Sequence, residues 1–225
     1  MGDAIKTFSL NNDQKVTLGN LSGLAAIVLL PLFLGMALLN APEYNGLTQT
    51  ISKLGVTENG WLFFVLGTAI SGGLLVIYYR FYLYEILNRG KNTQLGSLFG
   101  IISGLMLIGV GLFQDKEDFI LRTTHFVFSG LFFGSMGLSI YHLSRFLRTS
   151  SYLWGKNLGL LGYIVCVGAI LHFFFSFLKG NITVGNVEFS IAVVWQKVTV
   201  SGYVIWSVLL QFYLEKAGRR THSRN

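Results

Sequence analysis

Charged residues and cysteine are both scarce in this sequence, and each scarcity excludes a class of protein. Asp, Glu, Lys and Arg make up 12% of the 225 residues, about half of the ~25% that is typical of soluble domains. The single cysteine, Cys166, excludes an intrachain disulfide, and with scattered histidines it gives no ligand pattern for haem or an iron–sulfur cluster. A soluble domain, a disulfide scaffold and an electron carrier are therefore not expected.

Recognisable catalytic and nucleic-acid-binding motifs are also missing. The sequence has no HExxH or HxxxH spacing and no GxSxG turn, so it indicates neither a compact zinc site nor the nucleophile of a serine hydrolase. The net charge is +7, but the basic residues are scattered over short turns and a tail without a nucleic-acid-binding motif. We expect no nucleic-acid partner and no cofactor.

Long apolar stretches are what the sequence does contain. There are six of them, at residues 18–39, 61–83, 95–113, 122–143, 158–178 and 190–213. Each is long enough to cross a hydrocarbon core of ~30 Å at ~1.5 Å per residue. The sequence therefore predicts an all-α, polytopic membrane protein: a transmembrane domain of six helices at 18–215, an N-terminal segment at 1–17 and a basic tail at 216–225.

The distribution of positive charge predicts the orientation. If the N-terminus is cytoplasmic, 12 of the 17 Lys and Arg residues fall on the cytoplasmic side, which is the bias that fixes topology in membrane proteins. The outer side then holds Lys53, Lys116, Arg122, Lys179 and Lys197. We expect both termini in the cytoplasm, a first span that stays as a signal anchor, and a multi-pass protein of the plasma membrane.

Glycines at intervals of four residues predict close helix packing. Gly96, Gly100 and Gly104 lie in the third stretch, and Gly130 and Gly134 lie in the fourth. Small residues at this spacing let two membrane helices approach closely. We interpret both sets as packing surfaces without chemistry.

The connection 41–60 is polar and too long for a minimal turn. Leu47, Ile51 and Leu54 recur in it at helical spacing, which predicts a short amphipathic helix on the outer membrane surface or over the end of the bundle. Gly55, which follows, suits a left-handed C-terminal cap.

Polar residues near the outer ends of the spans form the candidate site. Ionisable groups inside membrane helices are costly and tend to mark functional interiors, and His125, His172 and Lys197 are each expected within ~10 Å of the outer headgroups. The candidate ligand-binding residues are Ser52, Asp115, His125, His172, Gln196 and Lys197.

Three chemistries compete for this layer. Two imidazoles and a carboxylate hold zinc in many hydrolases, so His125, His172 and one of Asp115, Glu117 or Glu188 form an alternative metal set. A nucleophilic site would pair Ser52 or Ser129 with a histidine. The third possibility is binding of a lipid headgroup without catalysis. The loop that contains Asn181-Ile-Thr183 also offers a glycosylation sequon.

Two outer segments resemble a known family. Ile51-Ser52-Lys53-Leu54-Gly55 is similar to the ISxLG segment of a prokaryotic six-span membrane family of unknown function, which is distantly similar to eukaryotic Frag/DRAM-type membrane proteins. Phe113-Gln114-Asp115 followed by His125 resembles the family's F-P-x-D…H junction, with Gln114 in place of the proline.

Gln196-Lys197 resembles the polar-basic pair that opens the family's last span, with Lys197 where the family has arginine. A lysine keeps the charge but lacks the bidentate fork of arginine. The resemblance covers all six spans. It implies a six-helix membrane fold with outer polar motifs, and it links the eukaryotic relatives to lipid processing or lipid organisation.

The sequence therefore favours an integral membrane protein that binds, or helps to process, a lipid or lipid-linked headgroup in an outward-facing polar pocket. Its partners would be membrane lipids and, in the main alternative, other subunits of a membrane complex in which the chain is a non-catalytic accessory. A small-solute transporter is the third hypothesis. An enzyme is not favoured, and the enzyme that fits best is a metal-dependent intramembrane lipid hydrolase.

Overall fold

Six long helices dominate the computed structural model of the chain, which describes residues 11–87, 90–115, 118–176, 182–184 and 187–222, with side chains as far as 216. The helices are α1 Asn12–Leu39, α2 Trp61–Ile86, α3 Lys91–Leu112, α4 Phe119–Arg148, α5 Leu153–Ser176 and α6 Ile191–His222. All six are long and apolar enough to cross a membrane. The predicted all-α, six-span bundle is confirmed.

The helices extend beyond the apolar stretches at several ends. α1 begins at Asn12, where Asn11 accepts a hydrogen bond from the backbone of Gln14 and the Gln14 side chain accepts one in return. This reciprocal cap satisfies two backbone donors at the helix start. The polar residues Lys91 to Gln94 form the first turn of α3. A helix continues through polar sequence outside the hydrocarbon, so hydropathy alone underestimates its length.

Consecutive helices pack against one another, and α1 also contacts α6. Along this last contact the Gln211 amide donates to the Asn20 side chain. α2 contains a π-helical segment, Tyr79–Leu83, whose Tyr79, Tyr82 and Leu83 are buried. Gly19 on α1 lies against the backbone of Tyr82, so the widened turn is packed into a neighbouring helix.

The glycines of α3 form the predicted packing surface, whereas those of α4 do not. A Cβ on Gly104 would lie 2.7 Å from the Gly72 carbonyl oxygen, and one on Gly72 would lie 2.6 Å from the Gly104 carbonyl oxygen. These two helices therefore cross at a point that only glycine permits. Nothing lies within 4 Å of a Cβ on Gly130 or Gly134. The prediction that this second pair packs within the chain is wrong, because that face of α4 points away from the bundle.

The described parts of three connections lie at one end of the bundle, which we call the loop end: 41–60, 113–115 with 118, and 182–184 with 187–190. The last contains a short antiparallel hairpin of β1 Ile182–Val184 and β2 Val187–Phe189. Ser190 donates its backbone N–H to the Leu47 carbonyl at 3.0 Å, which joins the start of α6 to the first connection. Asn181 and Glu117 lie outside the described residues.

The predicted amphipathic helix in the first connection is a single 3₁₀-helix, Ile51–Val56. Leu54 is 1% exposed and belongs to the core, Ile51 packs against that core, and Leu47 is 46% exposed, so the segment caps the bundle through Ile51 and Leu54. Gly55 lies inside this helix without a left-handed backbone, so the C-cap prediction is wrong. A Cβ there would lie 2.7 Å from Cδ1 of Phe64, and close contact is what requires glycine.

Candidate ligand site at the loop end of the bundle

The connection 41–60 is held in place by its own turn and by α6. The Tyr44 hydroxyl donates to the Gln49 carbonyl at 3.0 Å, and the Gln49 side chain accepts from the Asn45 backbone at 2.9 Å. Partial burial raises the pKa of Tyr44 to about 12, because a phenolate is poorly solvated there. Tyr44 therefore stays a neutral donor at physiological pH.

Lys197 fastens this connection to α6. Its ammonium donates to the carbonyl oxygens of Gly46 and, at 2.9 Å, Gln49, and it lies 5.7 Å from the centre of the Tyr44 ring. Two of its three donors are thus used by backbone carbonyls. In this structure Lys197 orders the loop rather than lining a cavity.

Gln196, the neighbour of Lys197, fixes the start of the 3₁₀-helix. Its Oε1 accepts the backbone N–H of Ile51 at 2.8 Å, a donor that a helix start leaves unsatisfied. Ser52 hydrogen-bonds Thr50 at 3.0 Å. Ser52, Gln196 and Ser129 meet at a small internal cavity of about 60 Å³ whose other walls are apolar except for Thr68.

His125 is 2% exposed and both of its ring nitrogens are engaged. Nδ1 lies 2.6 Å from the Phe113 carbonyl oxygen, and a carbonyl can only accept, so Nδ1 carries the proton. Nε2 forms a hydrogen bond with the Ser129 hydroxyl at 3.2 Å. Phe113 ends α3, so His125 satisfies a terminal carbonyl of one helix from the second turn of the next.

Asp115 is the buried carboxylate of the site, at 5% exposure. Lys53 Nζ lies 3.0 Å from its Oδ2 and donates to its backbone carbonyl at 3.3 Å. Arg122 Nε, in the first turn of α4, lies 3.8 Å from Oδ1. A buried charge is costly unless it is paired, so these two cations are what makes this position tolerable for Asp115.

An open cavity of about 570 Å³ lies beside this ion pair. Lys53 and Asp115 form one part of its wall together with Gln114, and Trp61, at the first position of α2, forms another. Val56 and Thr57 of the capping segment complete it. A cavity of this size with few convergent polar groups is typical of small-ligand sites.

His172 stands apart from this cavity. Its ring centre lies 4.8 Å from that of Phe133 on α4, and its Nδ1 is buried without a hydrogen-bond partner among the described residues. Phe133 also lines the small internal cavity. His172 therefore borders the aromatic wall behind that cavity.

The six predicted residues thus fall into four environments. Asp115 lines the open cavity, Ser52 and Gln196 line the internal one, and His125 reaches the internal one through Ser129. Lys197 binds the loop and His172 packs on Phe133. Within the described part of the chain no three His, Cys, Asp or Glu side chains come together as a metal-binding group. His125, His172 and Asp115 do not form one.

Lys53, Gln114 and Trp61 are among the cavity residues that were not predicted as site residues. Lys53 lies in the same segment as Ser52, but its link to Asp115 spans 62 residues of sequence, so spacing could not reveal it. One signal was present: a carboxylate at the end of an apolar span needs a cation, and Lys53 is one of the outer lysines.

Six apolar helices, with loops that pack over one end, define an integral, multi-pass membrane protein. The chain belongs to the family described as Protein of unknown function (DUF998), which it matches over residues 24–212. That range begins in α1 and ends in α6, so it includes every residue of the site above. Neither a curated protein nor a solved structure matches the chain significantly.

Proposed function

We propose that this protein binds a lipid or lipid-linked headgroup in the open loop-end cavity, at the outer face of the plasma membrane. One observation carries the proposal: the 570 Å³ cavity has an ion pair in one wall and Trp61 in another. Tryptophan at a helix end is typical of the headgroup level. A cavity at this depth is open to a headgroup whose chains remain in the bilayer.

Two further features support a lipid rather than a water-soluble ligand. Trp61 and Leu62, at the start of α2, are 44% and 45% exposed, and Leu66 one turn further is 39% exposed. Such a surface accommodates acyl chains beside the cavity. The resemblance of the 51–55 segment to a family distantly similar to Frag/DRAM-type proteins, whose eukaryotic members are linked to lipid handling, agrees with this function.

Filling the cavity tests the proposal. Val56 lines the cavity and is 37% exposed, so Val56→Trp adds bulk to its wall without burying a polar group. Native mass spectrometry of protein released gently from its own membrane is expected to show one retained lipid per wild-type chain. In Val56→Trp, we expect lipid retention to fall by about tenfold, which corresponds to a loss of about 1.4 kcal/mol of binding free energy.

Val194→Trp is the matched control, because Val194 has the same 37% exposure on α6 and does not line the cavity. Its lipid retention is expected to equal that of the wild type. Equal retention in all three proteins would place any bound lipid elsewhere, and a wild-type chain released without lipid would contradict the proposal.

A specific observation favours a second function, that of a non-catalytic accessory subunit. Gly130 and Gly134 leave an open face on α4, and Leu131, which lies between them in sequence, is 52% exposed. Small residues four apart are a common contact surface between membrane helices. Co-purification of other membrane subunits that Gly134→Leu abolishes would support this function.

A further inference from the structure

We infer that the headgroup bound in the loop-end cavity carries a phosphate group and that Lys53 is its anchor. The inference deepens the proposed function and rests on it, because it names the chemistry of the ligand in the same cavity. It depends on the placement of Lys53, the donor character of the wall and the local charge.

Lys53 is preorganised as a donor. Two contacts, to Oδ2 of Asp115 at 3.0 Å and to the Asp115 carbonyl at 3.3 Å, hold its ammonium at the cavity wall. An ammonium has three N–H donors, so one remains for a ligand. The Lys53 side chain is 40% exposed although its partner Asp115 is 6% exposed, which places the open side of the pair on the lysine. Asp115 is therefore a positioning residue.

The rest of the wall also favours a ligand rich in acceptors. Trp61 offers an indole N–H, which can only donate, and the Gln114 amide offers an N–H₂ donor together with an oxygen acceptor. The Thr57 hydroxyl is already used, since it donates to the Leu54 carbonyl at 2.8 Å and accepts from the Gly60 backbone at 3.2 Å. Lys53 contacts Oδ2 of the Asp115 carboxylate, and Oδ1, which has no hydrogen-bond partner among the described residues, is buried and therefore not presented to the cavity. A group that presents several oxygen acceptors matches this wall.

The charge of the Lys53–Asp115–Arg122 cluster favours an anion, although Glu58, next to the wall residue Thr57, and Asp118 are acidic. Lys53 and Arg122 are both within 4 Å of one carboxylate, so the three side chains together remain positive. At the end of a bundle, beside low-dielectric walls, such a charge attracts anions more strongly than it would in water. A phosphate satisfies both requirements, because it combines negative charge with several acceptor oxygens.

A binding comparison of two lipids that differ only in the phosphate tests the inference. The purified, delipidated full chain is mixed with dioleoyl phosphatidic acid or with dioleoylglycerol, and bound lipid is measured by native mass spectrometry. The wild type is expected to prefer phosphatidic acid by about tenfold or more. Lys53→Met is expected to remove that preference while leaving dioleoylglycerol binding unchanged, and Lys53→Arg is expected to restore most of it.

Two further variants separate an effect of the Lys53–Asp115 pair from a general loss of structure or of positive charge. Asp115→Asn raises the formal charge of the cluster by one, so a lower phosphate preference in this variant would come from loss of the ion pair that positions Lys53, whereas a purely structural role would lower binding of both lipids equally. Arg80→Met removes a cation of an exposed pair with Glu85 at the opposite end of the bundle, and its preference should match the wild type.

The outcomes separate the two proposals. Equal binding of both lipids by the wild type would overturn the phosphate inference and leave the lipid site intact. Binding of inorganic phosphate that Lys53→Met abolishes, without binding of either lipid, would support the phosphate site and contradict the lipid function. Absence of any binding would overturn both.

Discussion

At the scale of single residues, His125 illustrates how a polar side chain inside a membrane helix becomes structural. His125→Leu removes the donor to the Phe113 carbonyl and the hydrogen-bond partner of Ser129, and it leaves polar groups without partners in a nearly water-free site. The cost of an unsatisfied buried group is about 1–3 kcal/mol. We expect a clear decrease in the thermal unfolding midpoint of the protein in detergent.

His142→Leu is the matched control. His142 also lies on α4, but it is partly exposed near the opposite end and its hydrogen bond to Asn92 is long, at 3.3 Å. We expect His142→Leu to change the free energy of unfolding by no more than about 0.5 kcal/mol, as is usual for peripheral substitutions. Equal destabilisation by the two substitutions would show that His125 has no special role at the end of α3.

Isolated polar residues in apolar sequence are easy to find, and this is why Asp115 and Gln196 could be recognised as candidate residues. The residues with which they form contacts could not be predicted. Lys53 is 62 residues from Asp115 in sequence, and Ile51 is 145 residues from Gln196. Such pairs depend on the rotation and the ends of several helices, and an apolar sequence carries little information about rotation because lipid-facing and buried residues are equally apolar.

At the scale of elements, the six helices were predictable because membrane crossing requires length and hydrophobicity, both of which can be read directly. The 3₁₀-helix in the first connection was not predictable, because the spacing of its apolar residues also fits an α-helix. The glycines also show that spacing does not reveal which face of a helix is packed. Gly104 and Gly134 have equivalent spacing in sequence, yet a Cβ on Gly104 would meet Gly72, whereas a Cβ on Gly134 would meet nothing within 4 Å.

This difference between the glycines gives a paired prediction. Gly104→Leu would force a side chain against the Gly72 carbonyl at the crossing of α2 and α3, and overpacking of a rigid contact costs at least about 1–3 kcal/mol. Gly134→Leu enters open space. We expect the first variant to lose the thermal transition of the folded chain and the second to keep it, as measured in detergent.

A stable Gly104→Leu variant would contradict the close crossing. Destabilisation of a purified, monomeric Gly134→Leu chain would show that its face is packed within the chain after all. Association state, measured by light scattering on the same samples, separates loss of folding from loss of a partner.

At the scale of the whole molecule, the fold class followed from hydropathy, but the direction of insertion is a separate property of the charges. At the end opposite the loop end lie Lys15, Arg80, Lys91, Arg145, Arg148, Lys156 and Lys216 among the residues with described side chains. At the loop end, Lys53 and Arg122 contact Asp115, and Lys197 binds carbonyls. Positive side chains are therefore more numerous at the opposite end, which agrees with the prediction that both termini are cytoplasmic.

Cysteine labelling measures this orientation directly. In a Cys166→Ser background, Asn59→Cys places a thiol in the exposed connection between α1 and α2, and Ser151→Cys places one in the exposed turn between α4 and α5. An impermeant maleimide is expected to label Asn59→Cys in intact cells, and to label Ser151→Cys only after the membrane is permeabilised. The opposite labelling pattern would show that the protein is inserted in the inverse orientation, with the Lys53 cavity facing the cytoplasm. Labelling of both sites from outside would contradict the six-span arrangement, because the three helices between them, α2, α3 and α4, place the two positions on opposite sides of the membrane if each one crosses.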